Sequence, residues 1–191
     1  MKSIVRRSKT TKNKKADFYQ TNPFMSKILI DWLKENKFDP SLKVVDPCCG
    51  KHSITNELNK YFGAVSYFDK FQGDNKLDYL EEIISTNIIV MNPPYSAKYA
   101  FIDKARQDAD YVFCLLPLNI SNYNMFHREY EDIPNFVGKI QMAPKMFLDE
   151  TSDFKAGGNS QYCWYIWHGK NNTNYSTTWY YDLRNYNRRK K

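Results

Sequence analysis

Apolar positions along the chain fall into two rhythms, stripes spaced three and four apart and short unbroken runs. In "NPFMSKILIDWLKENK", Met25, Ile28, Leu29, Trp32 and Leu33 recur at helical spacing, Asn22 stands where an N-cap belongs and Pro23 at the first helical position, so a helix with one buried face is expected. "LKVVDP" follows as a short buried strand. In "KHSITNELNKYFG", Ile54, Leu58, Tyr61 and Phe62 make a second helical stripe, with Gly63 where a C-terminal cap should be. "AVSYFDK" is expected as a second strand ending in Asp69, "LDYLEEIIS" as a short helix or turn, and "NIIVMN" as a third strand. Ala97, Phe101, Ala105 and Ala109 then fall four apart on a helix that leads into a fourth strand, "YVFCLLPL".

Short apolar strands alternating with amphipathic helices predict an α/β fold with a mostly parallel sheet and helices on both faces. The last third breaks the alternation. "GKIQMAPKMFLDE" and "QYCWYIWHGK" are strands joined by the polar connection "TSDFKAGGNS", which predicts a C-terminal antiparallel hairpin. The aromatic stretches "WYIW" and "TTWYYDLRNY" have enough rings for base stacking, but the favoured reading has alternate members packed against the sheet.

A length of 191 residues suits one domain with a full core. The net charge of +7 is unevenly placed, since residues 1–15 carry seven Lys or Arg and 184–191 five more, with no acid in either stretch. Without those twelve, 16 basic residues stand against 21 acidic ones. The expected organisation is a basic arm over 1–15, one domain over 16–183 and a basic tail over 184–191. Such ends suit contact with a polyanion, each Lys or Arg at a phosphate releasing counterions, and they equally suit solubility. The first fifteen residues are polar and no apolar run approaches ~20 residues, so neither a secretory signal nor a membrane span is expected and an intracellular setting is. Cys48, Cys49, Cys114 and Cys163 include no pair at zinc spacing, so reduced buried thiols and no metal are expected.

Ligands of open α/β sheets bind beyond the carboxyl ends of the strands. Three polar features fall there: Asp46 with the turn "DPCCGK", Asp69, and "NPPY". Gly50 lets backbone approach a ligand closely, ahead of a helix N-terminus. Asp69 is placed to accept hydrogen bonds from a ribose diol, though acids at strand ends also serve as caps or solvated termini, and Asp78 shares that ambiguity. "NPPY" is more specific. Pro93 and Pro94 have fixed φ and no N–H, so the turn is rigid, and the Asn92 side-chain oxygen and Pro93 carbonyl can accept both hydrogens of a planar amino group while Tyr95 stacks on its ring.

"NPPY" together with "DPCCG" resembles the amino-methyltransferases that use S-adenosylmethionine, particularly phage-type DNA adenine methyltransferases, over a stretch from "DFYQTNPF" to about His168. The resemblance implies a Rossmann-like methyltransferase fold. It implies that Tyr19 and Thr21 lie beside the cofactor's methionine part, and that Pro47, Cys48 and Gly50 form the cofactor loop with Asp46 near the methionine amino group. Asp69 would hold the ribose, and Asp78, with Tyr79 beside it, would read the cofactor's adenine. Asn92, Pro93, Pro94 and Tyr95 would form the catalytic turn, with Asn92 also next to the cofactor. The implied reaction is methyl transfer to the exocyclic amino group of adenine in DNA, on a base flipped out of the stack or single-stranded. RNA adenine, DNA cytosine, and a fold that has lost catalysis and only binds nucleic acid stay open.

The sequence departs from that family at "GKH", where His52 replaces a second glycine, and in lacking an extra recognition region. "NISNYNMFHREYEDIPNFVGK", with Tyr123, Asn124, His127 and Arg128, and the basic ends are what remain for contact, so loose sequence selectivity is expected. The Asn, Lys, Ile and Tyr content suits an AT-rich genome such as that of a phage or mobile element.

Overall fold

The computed structural model describes residues 20–72, 74–142, 161–169 and 176–181. Tyr19, both basic ends and the connection "TSDFKAGGNS" lie outside these. Ten elements run in chain order as α1 (Pro23–Glu35), β1 (Lys43–Asp46), α2 (Ser53–Leu58), β2 (Ala64–Tyr67), β3 (Thr86–Met91), α3 (Lys98–Asp108), β4 (Ala109–Pro117), β5 (Phe136–Met142), β6 (Tyr162–His168) and β7 (Thr177–Tyr181). Between β4 and β5, a 3-10 turn (Leu118–Asn122) leads through Asn124–Phe126 into a π-helical turn (His127–Glu131).

The strands form one sheet in the order β2-β1-β3-β4-β6-β5-β7. The first four are mutually parallel, β6 runs antiparallel to both β4 and β5, and β7 is parallel to β5. This is the mostly parallel sheet that the alternation predicts, with the C-terminal antiparallel hairpin predicted where the alternation breaks. Strands β3, β4 and β6 are buried on both faces because each face is covered. On one, Ile88, Val90, Phe113, Leu115, Trp164 and Ile166 meet α1 and α2. On the other, Ile89, Met91, Val112, Cys114, Tyr165 and Trp167 meet α3 and the turns after β4. Polar handles on the large rings lock the layers: the Trp164 indole donates to the Met25 carbonyl at 3.0 Å and the Trp167 indole to the Tyr130 carbonyl at 2.6 Å.

Helix α1 forms as its local signals require, with the Asn22 side chain accepting from the Phe24 amide at 2.9 Å and Pro23 in the first turn. Three local expectations are corrected. Helix α2 stops at Leu58, so Tyr61 and Phe62 lie beyond it, and Gly63 is no left-handed cap; its amide instead donates to the Pro40 carbonyl at 3.0 Å, tying the helix exit to the α1–β1 connection. Ala109 belongs to β4. It makes the last helical bond to the Ala105 carbonyl and, already extended, pairs with Thr86, so helix passes to strand without a loop. Strand β7 was not expected as a strand; its Trp179 packs edge-on to Trp32, ring centroids 5.0 Å apart. The segment "LDYLEEIIS" forms turns. Among the described residues no helix is long and apolar enough to cross a membrane.

Candidate active site at the carboxyl edge of the sheet

Because β2, β1 and β3 are adjacent and parallel, the segments that leave their carboxyl ends lie side by side. The loop after β1 turns sharply, with Gly50 at φ 50° and His52 at φ 62°, both in the left-handed region. Asp46 shapes it from below. Its carboxylate is fully buried, one oxygen accepting from the Thr55 hydroxyl at 2.8 Å and the other from the Cys48 amide at 3.3 Å. Burial, with a smaller push from the charge of Asp69, raises the Asp46 carboxyl to about 7 against those hydrogen bonds. Burial likewise pushes the Cys49 thiol up to about 12, and the Cys48 thiol rises too, so neither is a ready nucleophile.

Asp69 joins two loops. One of its oxygens accepts from the Gly50 amide at 3.1 Å, the other from the Phe71 and Gln72 amides at 2.8 and 2.9 Å. Next along the chain, Lys70 forms an ion pair with Asp78, whose other oxygen accepts from the Leu80 amide at 3.2 Å; the Lys70 hydrogen bond holds the Asp78 carboxyl below its usual range. Tyr79 points inward, its ring packed with Phe101 and Phe68.

The turn "NPPY" leaves β3 as the sequence predicts. Pro93 is buried, and the turn closes one residue later, where the Pro94 carbonyl accepts from the Ala97 amide at 2.9 Å. The Asn92 side chain donates through Nδ2 to the Thr21 hydroxyl at 3.0 Å. The Tyr95 ring lies 6.3 Å from that of Tyr162 at 29°, giving one aromatic surface beside the turn, and Lys98 Nζ donates to the Tyr95 carbonyl at 3.1 Å.

Three consecutive residues bind these parts together. Gln20 donates to the Ser53 hydroxyl at the start of α2, Thr21 receives Asn92, and Asn22 caps α1. The Gln20 Oε1 is buried and accepts no hydrogen bond among the described residues, an uncompensated acceptor beside the loop after β1. The structure thus gathers Thr21, Asp46, Pro47, Cys48, Gly50, Asp69 and Asn92 at one edge, with Asp78 bridged to it through Lys70. Tyr123, His127 and Arg128 are exposed on the turns after β4; Arg128 pairs with Glu129 and His127 with Glu131. Reading the sequence missed Gln20, Lys70 and Tyr162; Gln20 could have been found, since it sits inside "FYQTNP".

No protein-family model matches the sequence, and no curated protein matches it. Solved structures do match in shape. The methyltransferase subunit of a type I restriction-modification system from Streptococcus thermophilus superposes with a TM-score of 0.58 at 13% identity, over 88% of this chain and 48% of that one. The M protein of the type I restriction enzyme EcoKI gives 0.60 at 14% identity, over 87% and 48%. The 23S rRNA methyltransferase ErmE gives 0.54 at 13% identity, over 84% and 72%. The chain therefore spans about half the length of the two restriction-system proteins. At these identities what is shared is architecture: the chain has the Rossmann-like fold of these methyltransferases.

Proposed function

We propose that the chain transfers a methyl group from S-adenosylmethionine to the exocyclic amino group of adenine in DNA. The observation that carries this reading is the placement of Asn92, Pro93, Pro94 and Tyr95 directly after β3, in a methyltransferase fold, with the Asn92 amide held by Thr21. Two observations suit the cofactor: Gly50 and His52 of the loop after β1 are left-handed, which lets backbone approach a ligand, and Gln20 Oε1, on the segment before α1, is a buried acceptor suited to an ammonium. Tyr19, Gln20, Pro47, Cys48, Gly50 and Asp69 would hold the cofactor, with Asp78 and Tyr79 on the side of its adenine and Asp46 acting through the shape of the loop. S-adenosylmethionine supplies an electrophilic sulfonium methyl.

The chain's own part is placement. The Asn92 amide oxygen and the Pro93 carbonyl accept the two N–H groups of the target, which turns the nitrogen lone pair toward the methyl, and the Tyr95–Tyr162 surface supports the base. A carbon–nitrogen bond forms as the carbon–sulfur bond breaks, and the amino nitrogen then gives one proton to water, so no strong base is required. The base must leave the stack to reach the turn, at a cost of a few kcal/mol. The 23S rRNA methyltransferase among the similar folds makes RNA the second substrate to test. Transfer of tritiated methyl to one nucleic acid, lost in Asn92→Ala while cofactor binding is kept, tests the assignment. A phage or mobile-element origin, the basic ends as phosphate-contacting arms, and an intracellular site of action complete the proposal.

A further inference from the structure

The resemblance implies that Thr21 lies beside the cofactor, and in the structure its hydroxyl also receives Asn92. Thr21 is buried, 7% exposed, and its Oγ1 receives Asn92 Nδ2 at 3.0 Å across 71 residues of sequence. On either side, Gln20 holds Ser53 at the start of α2 and Asn22 caps α1, so the backbone at Thr21 is anchored at both neighbours. A side-chain amide rotates about two bonds, and its two ends differ in chemistry while being nearly equal in shape. With Nδ2 on the Thr21 hydroxyl, the oxygen end of the amide is turned away from Thr21. We infer that Thr21 is a positioning residue for Asn92, setting the acceptor on the target amino group, and that it does so from the segment that also holds the start of α2.

The inference rests on the methyl-transfer reading, and the test separates the two. Thr21→Val keeps the shape and removes the hydroxyl; Thr21→Ser keeps the hydroxyl. In the full chain, Thr21→Val is expected to lower kcat for methyl transfer about three- to tenfold, the range of one hydrogen bond, with KM for S-adenosylmethionine unchanged, and Thr21→Ser to restore it. The Asn92 side-chain amide signals in a 15N–1H spectrum, assigned by their absence in Asn92→Ala, are expected to move in Thr21→Val and stay in Thr21→Ser. Should the unmodified protein transfer no methyl group, the functional reading falls and the amide signals alone decide the positioning. Amide signals unmoved in Thr21→Val, an equal loss of kcat in Thr21→Ser, or a rise in KM for the cofactor in place of the fall in kcat would each overturn it.

Discussion

The His52 ring stands edge-on to Tyr67, centroids 4.8 Å apart, on a backbone held at φ 62°. The position thus keeps the left-handed conformation that suits glycine while carrying a side chain turned onto the end of β2, with Asp74 3.9 Å from Nε2. A β-branched residue there would meet the left-handed penalty in full. His52→Val should be less stable than the parent by about 1–2 kcal/mol, and His52→Gly should match the parent or exceed it. Urea melts of both decide it; a Val variant as stable as the Gly variant would remove the strain from the account.

Asp46 makes stability depend on pH in a direction opposite to most carboxylates. Its folded value of about 7 lies above the ordinary carboxyl value of about 4, so the folded state binds the proton more tightly. The contribution is full below about pH 4 and is lost as pH rises through about 7, at no more than about 1.4 kcal/mol per pH unit. Asp46→Asn cannot ionise. Melts between pH 5 and 8 should show a decline in the parent that the variant lacks; parallel curves would contradict it.

A half-buried polar cluster fastens the turns after β4 to the sheet. Glu131 accepts from Lys139 at 3.0 Å and Ser121 at 2.8 Å, and Ser121 meets the Tyr165 hydroxyl at 2.7 Å. Burial works to raise the Glu131 carboxyl, yet the hydrogen bonds from Lys139, Ser121 and His127 bring it below its usual range. Lys139→Met leaves that carboxylate buried without its cation and should cost about 3 kcal/mol, with Ser121→Ala costing about 1 kcal/mol. Equal losses in the two variants would argue against the ion pair as the main element.

Gly138 permits the last strand to dock. At φ 144° beside an irregularity in the β5–β6 register, it leaves a hydrogen where a Cβ would stand 1.9 Å from the Thr177 carbonyl oxygen. Gly138→Ala should displace β7, which amide exchange at residues 177–181 would report as lost protection. Retained protection would place the strand's anchorage elsewhere.

These features divide by distance along the chain. Helix α1 was legible because its cap, proline and apolar stripe lie within thirteen residues, and the strand-to-turn passage at "NPPY" because two prolines constrain the backbone locally. Strand β7 was hidden, since its partner β5 lies some forty residues back and only one of its described rings, Trp179, packs inward. Ala109 kept the helical spacing although the strand pairing with Thr86 had taken it. In the site, the sequence marked the edge residues but could not show how their polar atoms are used. The Phe71 and Gln72 amides on Asp69 and the Lys70–Asp78 pair are made within one connection, whereas the Gly50 amide on Asp69 and the Thr21–Asn92 bond arise only when separate segments are brought together.

The role proposed for the turn after β3 is to direct methyl transfer to an amino group of a nucleic acid. Incubating the purified protein with tritiated S-adenosylmethionine and, separately, unmethylated duplex DNA, single-stranded DNA and RNA tests it most directly, with Asn92→Ala as control. Label is expected in DNA, recovered as methylated adenine after digestion to nucleosides and absent from the variant. No label in any of the three from folded protein would overturn the transferase reading, and label that persists undiminished in Asn92→Ala would remove the Asn92 side chain from the reaction.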